Sequence, residues 1–473
     1  MKRTTIKRAI STLAVVVIII VLVVVVAAGV YLATLKFANK PTQTGPSVIT
    51  IGMTMPLSGT FASDGQMSLD GIKLWAQDVN SSGGIPVKSL GKSLPVKLIY
   101  YDDGSSAQTV ATDYQTLVTQ GVNFLIAPYS SPLTLAAAPI AEANHILLLS
   151  HGGASDSIWA KGYKYVVGVL SPASQYMIPV IDMLSNMNPK PTNLAFFFGQ
   201  DPFSLSVMSS VEPYALSKGF KIVFNQTYQE TATDFTSQLA QLQASGAQVL
   251  IGGAHFVDGE TIMKNLQSLG IHLDLVSLLV APDDPHFLSD LGSLANGVTV
   301  PSQWEPNLNF SQFSPYFGNI TSGEQFYSRF MSTYGIAPNY EAAEAYATGL
   351  VLEKGIIDSG SLNSTVVRQQ LSTENFYTFY GHFQIDSTGK QIGHTMVVAQ
   401  WQNGVKQTIW PPSVATASPL YPAGLQIQQP STLSYRSQGL STPALVGSPS
   451  TFMWSASFIA NTLTVYSTSP SKE

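Results

Sequence analysis

The sequence predicts an α/β protein of two doubly wound, Rossmann-like lobes preceded by one transmembrane helix. Three observations carry this prediction. Ala9 to Leu35 is an apolar run without a charge. From Val48 to Val280 short apolar strands alternate with amphipathic helices, and the rhythm starts twice. The chain is 473 residues long, so the part beyond the apolar run is too long for one ordinary domain.

The apolar run matches the roughly 20 residues needed to cross a bilayer. Lys2, Arg3, Lys7 and Arg8 precede it, which places residues 1–8 in the cytoplasm and everything after residue 36 outside. A cleaved signal peptide is the alternative, with a cut near Ala27-Ala28-Gly29. The apolar core of such a peptide usually spans about 7–15 residues, so an uncleaved anchor over 9–35 is expected. The chain has no Cys, so a lipid-modified cysteine cannot be the anchor.

After a Pro/Thr/Gly linker over 36–47, the elements come in order. Val48–Met55 reads as a strand. Gln66–Asn80 reads as a helix with Leu69, Ile72, Trp75, Ala76 and Val79 on one face. Val96–Tyr101 is a strand, Ala107–Thr119 a helix, Phe124–Ala127 a strand, Leu133–Ala143 a helix and Ile146–Leu149 a strand. The second series has helices at Ser174–Asn188, Phe203–Lys218, Asp234–Ala244 and Gly259–Leu269. Its strands are Leu194–Phe198, Lys221–Tyr228, Val249–Gly252 and Leu273–Val280. Helices Gly323–Tyr334 and Tyr340–Ile357 have no strands of their own and are expected to complete the first lobe. Phe379–Ile385, Met396–Gln402 and Lys406–Trp410 read as strands, the last two joined by an Asn403-Gly404 turn. Lobe 1 is therefore assigned 48–172 and 301–378, and lobe 2 173–300 and 379–412. Residues 413–473, rich in Pro, Ser and Thr, read as an extended tail. Phe452–Ile459 is too short to span a membrane.

Composition excludes several functions. Without Cys there are no disulfides or thiolate metal sites, and the seven His show no metal-ligand spacing, so neither metal nor cofactor is expected. A net charge of −5 gives no basic footprint for nucleic acid. Gly91-Lys92-Ser93 is not a phosphate loop, because Pro86 stands where its first Gly belongs. No nucleophile elbow, dinucleotide cradle or zinc-protease motif is present, and no enzyme is expected. Charged residues make up 11% of the chain, against about 25% in typical soluble proteins. An acidic exterior and compositional drift both account for this. Asn80, Asn225, Asn309, Asn319 and Asn363 head sequons; each is a weak signal alone, and together they lead to the expectation of some glycosylation on an exported chain.

Three loops at strand ends of the first lobe carry small and hydroxyl residues: Pro56–Gly65, Pro128–Pro132 and Ser150–Ser155. Open α/β sheets bind ligands outside the carboxyl ends of their strands. Ser131-Pro132 reads as an N-cap followed by a helical Pro, aiming a positive helix end at this spot, which suits a carboxylate. Gly152 and Gly153 let a backbone approach a ligand. Ordinary capping and turn formation explain any one loop; three loops on one sheet edge favour a binding site.

The ordered set Ile51–Gly59, Gly71–Leu74, Val79–Ile85, Tyr101-Asp102-Asp103, Gly162-Tyr163, Gly252-Gly253 and Tyr334–Ala343 resembles leucine/branched-chain amino-acid binding proteins over roughly residues 48–412. These are extracytoplasmic receptors of ABC importers with a type I periplasmic-binding-protein fold. The resemblance implies two hinged lobes closing on one small solute, an amino acid or a related amide or organic acid. It implies permease subunits as partners, with ATPase subunits engaged only indirectly. By match, Ser131 supplies a carboxylate-binding hydroxyl and Gly152 and Gly153 supply backbone contacts. Ala154 stands where a Thr is usual, with Ser155 adjacent. Asp64 and Phe203 replace pocket aromatics, and His255 lies in an equally departed loop. Asp283 or Asp284 takes the ammonium-binding position, with a solvated turn or helix cap as the alternative. Trp304 lies near a hinge crossing, where core packing competes with ligand contact. A sensory receptor domain without a transport role is the alternative function.

Overall fold

The computed structural model describes residues 12–38, 45–310 and 320–423. Helix α1 (Thr12–Ala38) holds a stretch, Val15–Leu32, with a mean hydropathy of 3.4 and no burial. It is long and apolar enough to cross a membrane, a test that a signal sequence also passes. The expected cytoplasmic residues 1–8, the sequon Asn319 and the tail beyond residue 423, including Phe452–Ile459, lie outside the described residues.

The first series runs β1 (Ile49–Met55), α2 (Ala62–Ser81), β2 (Ile85–Val87), β3 (Lys92–Leu94), β4 (Val96–Asp102), α3 (Ala107–Thr119), β5 (Phe124–Ile126), α4 (Ser131–Ala143), β6 (Leu148–Ser150), α5 (Asp156–Ala160) and β7 (Val166–Gly168). Its parallel sheet has the order β4-β1-β5-β6-β7. The β2–β3 ribbon, α5 and β7 are too short to leave a periodic signal. The order reverses between β1 and β5, the position where such sheets take ligands.

The second series runs α6 (Ile178–Ser185), β8 (Asn193–Gly199), α7 (Pro202–Ser217), β9 (Lys221–Tyr228), α8 (Thr236–Ala244), β10 (Val249–Gly253), α9 (Phe256–Ser268), β11 (Leu275–Leu278), α10 (His286–Leu291) and β12 (Thr299–Ser302). Instead of one helix over Ser174–Asn188, a short turn at Ala173–Gln175 precedes α6, because Pro179 belongs in a first helical turn. In β8, Phe196 and Phe198 enter one apolar cluster and Phe197 another. Successive side chains point to opposite faces, and both faces are covered, so an unbroken apolar run suits this strand.

The chain then forms α11 (Gly323–Tyr334), α12 (Tyr340–Ser359), α13 (Ser364–Leu371), β13 (Phe376–Tyr377), β14 (His382–Phe383), β15 (Val397–Gln402) and β16 (Val405–Trp410). Helix α12 packs on α2 at unusually close range. A Cβ on Gly71 would come within 2.2 Å of the Ala342 carbonyl oxygen, and one on Gly349 within 2.1 Å of the Trp75 ring. The second sheet has the order β16-β15-β12-β11-β10-β8-β9, with β15 and β16 antiparallel. Thr299–Ser302 belongs to this sheet, so the crossing begins at Gln303 and not at residue 301. The strand expected over Phe379–Ile385 shrinks to His382–Phe383 in a separate two-stranded ribbon with β13. Asn403 and Gly404 both have positive φ, 51° and 81°, as a two-residue hairpin turn requires. Residues 411–423 continue as irregular chain, anchored where the Leu420 N–H donates to Gln400 Oε1 at 2.8 Å and the Ala423 N–H to the Asp274 carbonyl at 2.7 Å.

Gln303 knits the crossings between the lobes. Its Oε1 accepts from the Ser171 N–H at 3.0 Å, and its Nε2 donates to the Tyr176 hydroxyl at 2.8 Å. Tyr380 donates to its Oε1 at 3.3 Å, and His394 Nε2 meets its carbonyl at 2.8 Å. One buried residue after β12 thus joins the segment after β7 to the segment before β15.

Candidate functional site

The carboxyl ends of both sheets face each other across the lobe boundary. Between them lies a cavity lined by Tyr129, Ser131, Gly152, Ala154, Phe203 and His255, with Leu170, Tyr176, Val280, Tyr340 and Glu344 completing the wall. Tyr129 and Ser131 follow β5, and Gly152 and Ala154 follow β6. Phe203 follows β8 and His255 follows β10, on either side of the point where the second sheet reverses its order. The cavity is small, about 10 Å³, the room of about one water molecule. Bonds across the boundary hold the lobes closed. Tyr129 Oη lies 2.8 Å from His255 Nδ1, the Tyr340 N–H donates to Asp283 Oδ2 at 2.7 Å, and the Ser155 hydroxyl donates to the Pro202 carbonyl at 2.8 Å. Ser63 donates to Asp284.

Ser131 lies inside helix α4 as its first residue, and Ser130 takes the cap position without a side-chain bond. Its Oγ accepts from the Ala154 and Ser155 N–H groups, both at 3.0 Å. With its oxygen so engaged, the hydroxyl hydrogen remains to donate into the cavity. Gly152 lines the cavity, whereas Gly153 packs against α4, where a Cβ would lie 2.4 Å from Thr134 Oγ1. Ser155 faces the other lobe and not the cavity, meeting Ser206 at 2.9 Å as well as Pro202.

The two aspartates after β11 do not line the cavity. Asp283 pairs with Lys406, which also reaches Glu305 at 3.2 Å. Burial opposes the Lys406 charge, and the Asp283 and Glu305 carboxylates outweigh it, so its pKa is raised. Asp284 meets His286 Nδ1 at 2.8 Å besides Ser63. Trp304 is buried against Phe326, centroid to centroid 5.4 Å, and Phe379 at 6.2 Å, so its contacts are core packing at the crossing.

Among the described residues, three carboxyl groups at the lobe boundary have no compensating charge. Both oxygens of Asp64, both of Glu341 and Oε1 of Glu344 lack a hydrogen-bond partner among the described residues. Glu344 lines the cavity, and its Oε2 accepts from Tyr380 at 3.1 Å. Burial pushes all three pKa values well above the carboxylate range, and neighbouring carboxylates push them further. Glu341 and Glu344 are invisible to sequence reasoning as site residues because their helix reads as amphipathic, with acids solvated, whereas Tyr340–Glu353 is buried on every face. Tyr176, beside the first crossing, leaves no signal either.

Residues 48–406 match the family described as periplasmic binding protein. The chain belongs to that family. It is 20% identical over 381 residues to Leu/Ile/Val-binding protein homolog 7 of Brucella abortus, covering 78% of this chain and 92% of the relative. Among solved structures, the leucine-binding protein LivK of Thermotoga maritima superposes with a TM-score of 0.66 at 19% identity, covering 76% of this chain and 97% of that one. The branched-chain amino-acid transporter substrate-binding protein LivJ of Streptococcus pneumoniae, solved with isoleucine, gives 0.65 at 19%, covering 77% and 100%. An ABC-transporter solute-binding protein of R. palustris, solved with benzoate, gives 0.64 at 16%, covering 78% and 98%. The structural likenesses establish the two-lobed α/β fold, and leucine/branched-chain amino-acid binding proteins are among the proteins that share it.

Proposed function

We propose that this chain is the extracytoplasmic solute-binding subunit of an ABC importer, that it closes on an amino acid, and that α1 anchors it in the membrane. One observation carries the choice of solute. The interlobe cavity sets a free hydroxyl donor, Ser131, on one wall and an uncompensated buried carboxyl, Glu344, on another. A donor at a helix N-terminus suits a carboxylate. A buried acid without a cation beside it and with one oxygen unengaged suits an ammonium, whose arrival would lower the pKa that burial has raised. In this reading Glu344, supported by Asp64 and Glu341, takes the role that the resemblance gave to Asp283 or Asp284, since Lys406 and His286 already engage those two. The lobes must part to admit a solute, since the closed cavity has room for about one water, and the aromatic wall of Tyr129, Tyr176, Phe203 and Tyr340 then receives the side chain. Delivery to a permease is inferred from the kind of protein the relatives are.

Thermal unfolding of the detergent-solubilised chain, with amino acids set against their deaminated acids, tests the proposal. An amino acid at 100 times its dissociation constant should add about 2.7 kcal/mol, and the deaminated analogue far less. Equal stabilisation by both would overturn the ammonium site and favour an organic or aromatic acid.

A further inference from the structure

The second lobe brings Asp201, Glu230 and His255 together. They follow β8, β9 and β10, three neighbouring strands whose carboxyl ends open at one edge. One ligating atom from each lies within 4.8 Å of the other two. Two of the three residues are buried, with atoms that nothing else engages. Asp201 uses Oδ1 to cap α7 through the Phe203 and Ser204 N–H groups, at 2.8 and 3.0 Å. Its Oδ2 has no hydrogen-bond partner among the described residues, and neither has His255 Nε2. Leaving such groups buried without a partner is costly. Glu230 sits exposed on the turn after β9 and closes the group from the solvent side.

We infer that Asp201, Glu230 and His255 form a binding site for a first-row divalent cation of the zinc type. One imidazole nitrogen and two carboxylates make a ligand set that such ions accept with a fourth position open. Bond lengths of about 2.0–2.2 Å require the three groups to draw in, and Glu230 is free to swing. The opposite nitrogen explains the orientation of the ring. A metal on Nε2 leaves the proton on Nδ1, and Nδ1 faces the Tyr129 hydroxyl of lobe 1 at 2.8 Å. The cation would therefore fix the side chain that lobe 1 grips. This inference does not depend on which solute the cavity takes.

Equilibrium dialysis of the full chain, carrying a tag without histidine, against Zn²⁺ alone tests it, with bound metal counted by atomic spectroscopy. One equivalent should bind, and Mg²⁺ or Ca²⁺ should not displace it. Glu230→Gln and Asp201→Asn should each weaken uptake by about tenfold or more. The first changes an exposed turn, and the second keeps an oxygen for the helix cap. The melting temperature without metal shows that each variant is folded. Failure to bind one equivalent, binding unaffected by both substitutions, or displacement by Mg²⁺ would each overturn the site.

Discussion

The Tyr129 hydroxyl of lobe 1 meets His255 Nδ1 of lobe 2 at 2.8 Å, their rings 5.6 Å apart and nearly perpendicular. Phe61 packs on His255 with centroids 4.7 Å apart. Tyr129 and His255 both line the cavity, so their contact closes it from both lobes. Tyr129→Phe keeps the ring and removes one buried hydrogen bond, worth about 1 kcal/mol. The ratio of closed to open molecules should fall roughly fivefold, seen by small-angle scattering as a larger mean radius of gyration. An unchanged radius would mean that the Ser155, Ser63 and Tyr340 contacts suffice.

Glu344→Gln separates stability from binding. The amide matches the shape and removes a carboxyl whose ionisation burial opposes. Stability at neutral pH should stay level or rise. Affinity for an amine-bearing solute should fall by about tenfold or more, the loss of a charge-assisted hydrogen bond of about 1.5–3 kcal/mol. Calorimetry in buffers of different ionisation enthalpy should show proton release when the wild-type chain binds, and less in the variant. Unaltered affinity in Glu344→Gln would remove Glu344 from the site.

Ser131→Ala should act on both. It removes the acceptor of the Ala154 and Ser155 N–H groups, costing about 1–3 kcal/mol in urea unfolding. It also removes the proposed donor to a carboxylate, so carboxylate solutes should bind about tenfold more weakly, whereas amide analogues should lose less. Equal losses for both solutes would make Ser131 purely structural.

Lys406→Met should be among the most damaging single changes. It strands Asp283 and Glu305, both buried, without their cation. Breaking a buried pair from one side costs about 3–5 kcal/mol, measurable as a lower urea midpoint. Adding Asp283→Asn and Glu305→Gln should recover much of the loss. A single variant as stable as wild type would show that the Lys406 pairs contribute nothing to folding.

Stability should rise on mild acidification. Burial raises Asp103 from 3.8 to about 6, and Glu305 and Glu353 from 4.5 to about 7. Asp64, Glu341 and Glu344 are raised as well. A raised carboxyl contributes fully below its unfolded pKa, and that contribution is lost as pH climbs through the folded one. Burial lowers His151 from 6.5 to about 3 and His394 to about 4. Their contributions are present above the unfolded value and are lost as pH falls towards the folded ones. Each group shifts stability by about 1.4 kcal/mol per pH unit within its window, and the raised carboxyls outnumber the lowered imidazoles. The melting temperature should therefore be higher near pH 5 than at pH 7.5. The reverse order would show that the acids ionise freely in the folded chain, and would weaken the case for an acidic exterior.

The longer elements and their alternation are legible in the sequence. Apolar runs such as Leu194–Phe198, amphipathic repeats such as Ala107–Thr119 and the Asn403-Gly404 turn are local signals, set by side-chain periodicity and backbone preference. It also brought forward the loops after β5 and β6, because strand-end loops of small residues are readable in one dimension. Which groups meet is set by the packing of elements distant in sequence. Glu344 enters the cavity from a helix more than 200 residues after Ser131, and Gln303 is the knot of three crossings that are distant in sequence. Asp283 turned from a site candidate into the partner of Lys406, 123 residues away. Desolvation and charge pairing act through space, and spacing along the chain carries no record of either.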